Sequence, residues 1–419
     1  MARRVLTIRT DAIGDAILWG GALERVRTRF PDARHAVLCR EAVAPLYEHC
    51  PFVDDIIPIR YDDAVFSDDD RAEAVRAANA WQPDLLLDPI RSKARNAIGI
   101  IRGIDAPRSL VLEPDDANLG SAEAIDAHRN AELIPAARSV DGAVSELLQH
   151  RAFLAGLGDH RVEIPQPTVW CSESDRIEAG AMLSTGGLEP EQTLVLAPRG
   201  RWSYKMYPAW DRAIALAIDL GAEVRSIVVI GGPDARLDAE AIRAAVPSTI
   251  PLLDLSGRTT IRHAIALVGL CRVCAGTDTF AIHAACAQGV PNAVLLGGGH
   301  PGRFLPYSPL TRVAMLPLDC YGCDWRCAHE RAHCVAAISP ETVARAIAAA
   351  ASGRTPTRPL VFISNPPPTE LGNAVQISID RAAPGLGVDL AAGSSRTGGQ
   401  DADTSLSVDP RRVGPCDCP

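Results

Sequence analysis

The stretch Arg3-Arg4-Val5-Leu6-Thr7-Ile8-Arg9-Thr10-Asp11-Ala12-Ile13-Gly14-Asp15-Ala16 decides how the rest of the chain is read. Val5 to Ile8 is a short apolar run of the kind that forms a buried parallel strand. It meets a polar loop holding Asp11, Gly14 and Asp15. An amphipathic run through Ile17, Leu18, Leu23 and Val26 then predicts a helix. Gly14 permits a sharp turn or close approach of another group to the backbone. Asp15 falls at the helix N-terminus, at the carboxyl end of the first strand, where open α/β sheets place their ligands. It is either a helix cap or a group presented to a ligand, and position alone leaves both readings open.

The same alternation continues along the chain. Strands are expected at Ala36 to Cys39, Asp55 to Ile59, Asp84 to Asp88 and Ser109 to Leu112, with a helix at Asp70 to Ala80. Pro165-Gln166-Pro167 interrupts the rhythm, which resumes near Thr193. Strands then follow at Leu194 to Ala197, Ile227 to Ile230, Leu252 to Leu255, Val273 to Ala275, Ala293 to Leu296 and Val313 to Leu316. Helices are expected at Ala209 to Leu220, Asp234 to Ala245, Phe280 to Gln288 and Pro340 to Ala351. Strand–helix alternation implies parallel sheets covered on both faces. The expected architecture is α/β with two Rossmann-like domains, 1–165 and 193–354, joined by a hinge at 166–192. Pro366-Pro367-Pro368 and the Gly/Ser/Thr/Asp-rich stretch beyond Ala392 predict a disordered tail over 355–419.

Composition bounds the function classes. A chain of 419 residues with 47% hydrophobic content supports two full cores. Its apolar runs fall short of the roughly 18 residues of a membrane span. Arg9 and Asp11 break the only apolar stretch that a signal peptide would need. A net charge of −9 argues against wholesale nucleic-acid binding. Of the twelve cysteines, Cys39, Cys50, Cys171, Cys271, Cys274 and Cys286 are scattered and read as small core residues in a reducing cytoplasm.

In the second half, three polar loops each follow a strand. Arg199, Arg201 and Lys205 place cations in the first, suited to a diphosphate or simply a solvated basic loop. Thr277-Asp278-Thr279 precedes a helix whose N–H groups can receive phosphate oxygens, with His283 about one turn further in. Gly297-Gly298-Gly299-His300-Pro301-Gly302-Arg303 lets backbone approach a ligand and adds the charge of Arg303. In the first half, Arg91, Lys93 and Arg95 form a basic segment that suits an anionic acceptor or an ordinary solvated face.

These residues carry a resemblance to glycosyltransferase family 9, best known for the ADP-heptose:lipopolysaccharide heptosyltransferases. It runs over roughly 1–350. It rests on Arg9-Thr10-Asp11-Ala12-Ile13-Gly14-Asp15, Phe30-Pro31-Asp32-Ala33, Pro51-Phe52-Val53-Asp54-Asp55 and Lys205-Met206-Tyr207-Pro208-Ala209-Trp210. Leu255-Ser256-Gly257-Arg258-Thr259, Asp278-Thr279-Phe280-Ala281-Ile282-His283 and Gly289-Val290-Pro291 complete it. The resemblance implies a GT-B fold with acceptor site in the N-terminal domain and nucleotide-sugar site in the C-terminal one. It matches Asp15 to the family's catalytic aspartate, Lys205 to its diphosphate-binding lysine, and Asp278, Thr279 and His283 to its nucleotide motif. Phe280 departs from the glycine common in the family, which puts the shape of the nucleotide pocket in question.

The resemblance implies ADP-heptose as donor and a lipopolysaccharide or other anionic glycan or glycolipid as acceptor. The setting would be the cytoplasm, at the inner face of the cytoplasmic membrane. With Asp15 as general base and the diphosphate held by fixed cations, direct displacement inverts the anomeric centre and needs no catalytic metal. Three other classes share the fold: a non-catalytic sugar-nucleotide-binding protein, a protein-glycosylating member, and a sugar-nucleotide epimerase or hydrolase.

Cys320, Cys323, Cys327 and Cys334 form a separate cluster. Thiolates at such spacing can converge on a structural zinc or iron, and reduced thiols or a disulfide are the alternatives. Similar clusters occur in iron-binding members of the family, so the resemblance makes this one structural rather than catalytic.

Overall fold

The computed structural model describes residues 2–61, 66–92, 95–115, 131–138, 144–161, 163–318, 320–327, 332–354, 357–364 and 389–390. The N-terminal sheet is built from β1 (Arg4–Arg9), β2 (Arg34–Arg40), β3 (Asp55–Ile59), β4 (Leu85–Asp88), β5 (Arg108–Leu112) and β6 (Glu132–Ile134). Its helices are α1 (Ile13–Arg29), α2 (Asp68–Ala80), α3 (Arg95–Gly103) and α4 (Glu146–Gly156). The six strands are parallel in the order β3-β2-β1-β4-β5-β6. Strand order therefore reverses between β1 and β4, and the loop carrying Asp11 and Asp15 leaves the sheet at that switch point, where a crevice opens.

A helix, α5 (Glu173–Thr185), follows. The second sheet contains β7 (Thr193–Ala197), β8 (Ser226–Val229), β9 (Leu252–Asp254), β10 (Val273–Thr277), β11 (Asn292–Leu295), β12 (Thr311–Met315), β13 (Leu360–Ile363) and β14 (Asp389–Leu390). Its helices are α6 (Trp210–Asp219), α7 (Arg236–Ala245), α8 (Ile261–Leu270), α9 (Phe280–Ala287), α10 (His333–Ala336) and α11 (Pro340–Ala351). All eight strands are parallel in the order β14-β13-β12-β11-β10-β7-β8-β9. This sheet reverses between β7 and β10. The loops holding Arg199 to Lys205 and Asp278 to Thr279 leave at that point.

Helix starts follow local chemistry. Ser67 and Asp70 exchange backbone and side-chain hydrogen bonds at the head of α2, and Ser172 and Asp175 do the same for α5. Thr260 accepts from the His263 amide to start α8, and Ser339 accepts from Thr342 ahead of Pro340 in α11.

Two sequence expectations change. The segment 166–192 is more than a bare hinge, because α5 lies within it and packs against α8 of the C-terminal domain. Residues 166–168 also cross α1 where Gly20 and Gly21 leave room. A Cβ on Gly20 would lie 2.2 Å from the Thr168 carbonyl oxygen, and one on Gly21 1.9 Å from that of Gln166.

The expected tail also begins too early. Leu360–Ile363 pairs with β12, and Val361 and Phe362 are buried. Four consecutive apolar residues fit an outer parallel strand, and their burial outweighs the ordering cost that the surrounding polar composition predicts. The remainder of 355–419, apart from 357–364 and 389–390, lies outside the described residues.

One apolar core runs across both domains. It joins Ile17, Trp19 and Phe153 on the N-terminal side to Ile282, Ala285 and Leu267 on the other. Helices α1 and α9 pack directly on each other, which sets the Asp15 loop against the start of the Asp278 helix.

Candidate active site

A cavity of about 300 Å³ lies between the loops after β1 and β4 of the first sheet and those after β7, β11 and β12 of the second. Asp11, Asp15, Ile90, Ser92 and Glu146 line it from the N-terminal domain, and Tyr204, His300, Arg303, Phe304, Asp324 and Trp325 from the C-terminal one.

Asp15 sits in the first turn of α1, where its carboxylate accepts from the Ala12 amide at 3.2 Å. It thus caps the helix and lines the cavity at once. Burial pushes its pKa above the ordinary carboxylate value, and the nearby Glu146 pushes it further. Arg9, His283 and Arg303 oppose this. Asp11 is pushed up to about 7, first by burial, with Arg9 opposing and Asp15 reinforcing. Arg9 itself is fully buried. It donates to the Asp15 carbonyl at 2.8 Å and forms an ion pair with Asp11, so it fixes the loop from below.

Across the cleft, Lys205 Nζ lies 2.9 Å from Asp278 Oδ2 and donates to the Asp278 carbonyl at 3.0 Å. His283 Nε2 is 3.7 Å from Asp278 Oδ1, and its Nδ1 is 3.1 Å from the Tyr307 hydroxyl. Burial would raise the Asp278 pKa, but Lys205 and His283 outweigh it and hold the carboxyl well below the usual range. The Thr279 hydroxyl is buried with no hydrogen-bond partner among the described residues. A Cβ on Gly200 would stand 3.2 Å from Thr279 Cγ2, so the first cationic loop lies close over this helix start. Phe280 packs against the shared core, which leaves the polar end of α9 to the backbone, Asp278 and Thr279.

The remaining sequence candidates are dispersed. Arg199 is tied to Asp238 and Asp234 and faces α7 rather than the cavity. Arg201 sits over the Trp202 ring at 5.2 Å. Arg303 lines the cavity but is engaged with Glu146, Ser92 and Asp115 of the opposite domain. Arg91 is half-buried, and its carbonyl accepts from the Asp115 amide. Lys93 and the Arg95 side chain lie outside the described residues.

The glycine-rich loop serves a purpose different from the expected one. A Cβ on Gly299 would come within 2.2 Å of the Trp325 ring, and one on Gly298 within 2.6 Å of the Tyr321 ring. The glycines admit side chains of the cysteine-rich loop rather than a ligand. That loop carries consecutive left-handed residues, Asp324 at φ 54° and Trp325 at φ 56°. Trp325 stacks on Tyr204 at 4.7 Å between ring centroids, and Tyr204 on Trp202 at 5.9 Å. Asp324 hydrogen-bonds His300.

The sequence leaves Cys320, Cys323, Cys327 and Cys334 open between a structural metal, reduced thiols and a disulfide. Among the described residues no group of three or more His, Cys, Asp or Glu side chains converges as a ligand set. Tyr321 and Trp325, packed on Gly297 to Gly299, organise the loop instead. Cys334 is carried on α10, where its Sγ accepts from the Gly298 amide at 3.3 Å. Burial pushes this thiol up to about 11.

The family model described as glycosyltransferase family 9 (heptosyltransferase) matches residues 147–332, from α4 through the cysteine-rich loop. Over those residues the chain is similar to glycosyltransferase family 9. Family 9 proteins are glycosyltransferases, and that is the activity class of this chain. No curated protein matches the sequence. Among solved structures, the family 9 glycosyl transferase of Veillonella parvula is similar, at 18% identity and TM-score 0.68, over 83% of this chain and 97% of that one. The ADP-heptose lps heptosyltransferase II of E. coli aligns at 16% identity and TM-score 0.62, over 83% of this chain and 98% of that one. An E. coli heptosyltransferase solved with ADP aligns at 19% identity and TM-score 0.54, over 74% and 92%. At such identities the likeness is one of fold, and it extends the GT-B arrangement to the N-terminal domain that the family model leaves unmatched. Among the described residues no helix is long and apolar enough to cross a membrane.

Glu146, Asp11, Tyr204, His300 and Trp325 line the cavity without having been candidates. Asp11 carries a signal in sequence, since it shares the switch-point loop with Asp15. Glu146 follows a serine at a helix start, like many surface residues, and no local pattern separates it from them.

Proposed function

We propose that this chain is an inverting glycosyltransferase that moves heptose from ADP-heptose to a hydroxyl of lipopolysaccharide or another anionic glycan. The observation that carries the reading is one cavity that joins Asp15 to Tyr204 of the loop after β7 and to His300 and Arg303 of the loop after β11. The Asp15 carboxylate would take the acceptor proton as the hydroxyl oxygen forms its bond to the anomeric carbon. The bond from that carbon to the diphosphate oxygen breaks on the opposite face, and the diphosphate leaves with the electron pair. Lys205 and the free N–H groups at the start of α9 would stabilise the departing charge. Asp278 keeps Lys205 at that position. A carboxyl held above its usual pKa is better matched to a proton acceptor working near neutral pH than an ordinary aspartate.

Similar structures carrying ADP or an ADP-heptose analogue support an adenosine donor. In this reading the chain meets its acceptor at the cytoplasmic face of the inner membrane.

Calorimetric titration with matched ADP-, UDP- and GDP-sugars tests the donor. Tightest binding of the ADP-sugar is expected, and a clear UDP or GDP preference would overturn that assignment. Asp15→Asn is expected to keep donor binding and lose turnover by about a hundredfold or more. Undiminished turnover would remove Asp15 as base.

A further inference from the structure

Arg303 crosses the cleft. From the loop between β11 and β12, its Nε donates to Glu146 Oε2 at 3.1 Å and its Nη2 to Ser92 Oγ at 2.7 Å. Its Nη1 lies 3.6 Å from Asp115 Oδ2. The Glu146 amide in turn donates to the Arg303 carbonyl at 2.8 Å. Glu146 opens α4, so a helix N-terminus of one domain is satisfied by backbone of the other. Both side chains are almost wholly buried, at 13% and 8% exposure, and both line the cavity that holds Asp15.

We propose that Arg303 and Glu146 are positioning residues whose contact across the cleft keeps Asp15 able to accept a proton. The inference rests on the reading of Asp15 as base. Asp15 is faced by Arg9 from β1, Asp11 from its own loop, Glu146 from α4, His283 from α9 and Arg303 from the facing loop. Glu146 is faced by Arg303, by His150 on its own helix and by Arg9. The guanidinium neutralises Glu146 and acts directly on Asp15, which favours the carboxylate. Without it, two buried carboxyls share a region poorer in positive charge, and Asp15 retains its proton.

The test reads Asp15 directly, without substrate. The full chain is labelled with carboxyl-¹³C aspartate, and Asp15→Asn identifies the resonance. In Arg303→Met the Asp15 titration midpoint is expected to rise by about one pH unit, and in Glu146→Gln to fall by a comparable amount. The double variant should return near wild type, and Arg303→Lys should rescue most of the shift. Midpoints unmoved in both single variants would overturn the inference and leave Arg303 a structural clamp. Should Arg303→Met fail to fold, comparing Glu146→Gln with the double variant carries the same test. There, loss of Arg303 must raise the midpoint, and no change overturns the proposal. Turnover retained by Asp15→Asn defeats the base reading separately, whatever the midpoints do.

Discussion

A methyl group on Gly14 would stand 2.9 Å from Cδ2 of the His283 ring, although the two residues belong to different domains. The glycine in the Asp15 loop is therefore required by the facing helix, and the contact places the acid of one switch point beside helix α9 of the other. Gly14→Ala should gain helix propensity of about 1 kcal/mol while pushing His283 away. The expected outcome is a melting temperature within a few degrees of wild type and a loss of turnover of about tenfold or more. Parallel thermal melts and steady-state rates would check it, and unchanged rates would refute it.

Lys205→Met should weaken ADP binding by about tenfold, through loss of a charge-assisted contact to the diphosphate. It also leaves buried Asp278 with His283 as its remaining named partner. A depressed carboxyl pKa contributes stability above the ordinary aspartate range and loses it as pH falls toward the lower folded value. The melting-temperature gap between wild type and variant should be wide at pH 7 and narrow below about pH 4. A gap independent of pH would contradict the pairing.

His150 is fully buried, meets Trp19 edge-to-face at 5.0 Å, and has its pKa pushed down to about 3 by burial. Its unfolded form binds a proton from about pH 6.5 downward, whereas its folded form does so only near the lower value. Between those limits the unfolded chain holds more protons, so stability is present above the range and is lost on acidification. His150→Gln should flatten the fall of melting temperature between pH 7 and 5, whatever its effect at pH 7. An equally steep fall would show that His150 does not carry this titration.

Gly299→Ala sets a methyl group against the Trp325 indole, whose neighbour Tyr204 closes the other side. Overpacking of this kind costs about 1–3 kcal/mol. A lower melting temperature together with a shifted indole emission spectrum is expected. Wild-type values for both would mean that the loop does not rest on Trp325.

Phe362→Ala should destabilise the C-terminal domain by about 3–5 kcal/mol, since the ring is only 5% exposed between β12 and α11. Truncation after Arg354 should cost at least as much. Thermal melts of both variants would settle whether β13 belongs to the core.

Much of the architecture was legible locally. Parallel strands buried on both faces write themselves as short apolar runs, so β1, β7, β8 and β10 could be placed from residues alone. The capping signal of Pro340 located α11. Asp15, Lys205 and Asp278 stood out because each follows a strand at the carboxyl edge, where sheet topology collects ligands. The sequence by itself thus determined the two-domain α/β alternation and the loops that serve it.

Only the tertiary structure decided which of those loops meet, and with what partners. Arg303 reads as a donor contact until Glu146, 157 positions earlier, takes its guanidinium. Gly297 to Gly299 reads as a ligand cradle until Trp325 and Tyr321 fill the space. The cysteine spacing leaves a metal and free thiols both open and gives no sign of the aromatic packing that organises the loop. The four apolar residues of β13 look too few to order a polar tail until β12 offers a free edge. The physical reason is common to all four. A side chain's type and neighbours limit what it can bind, whereas its partner is set by non-local packing and charge, which local sequence does not encode.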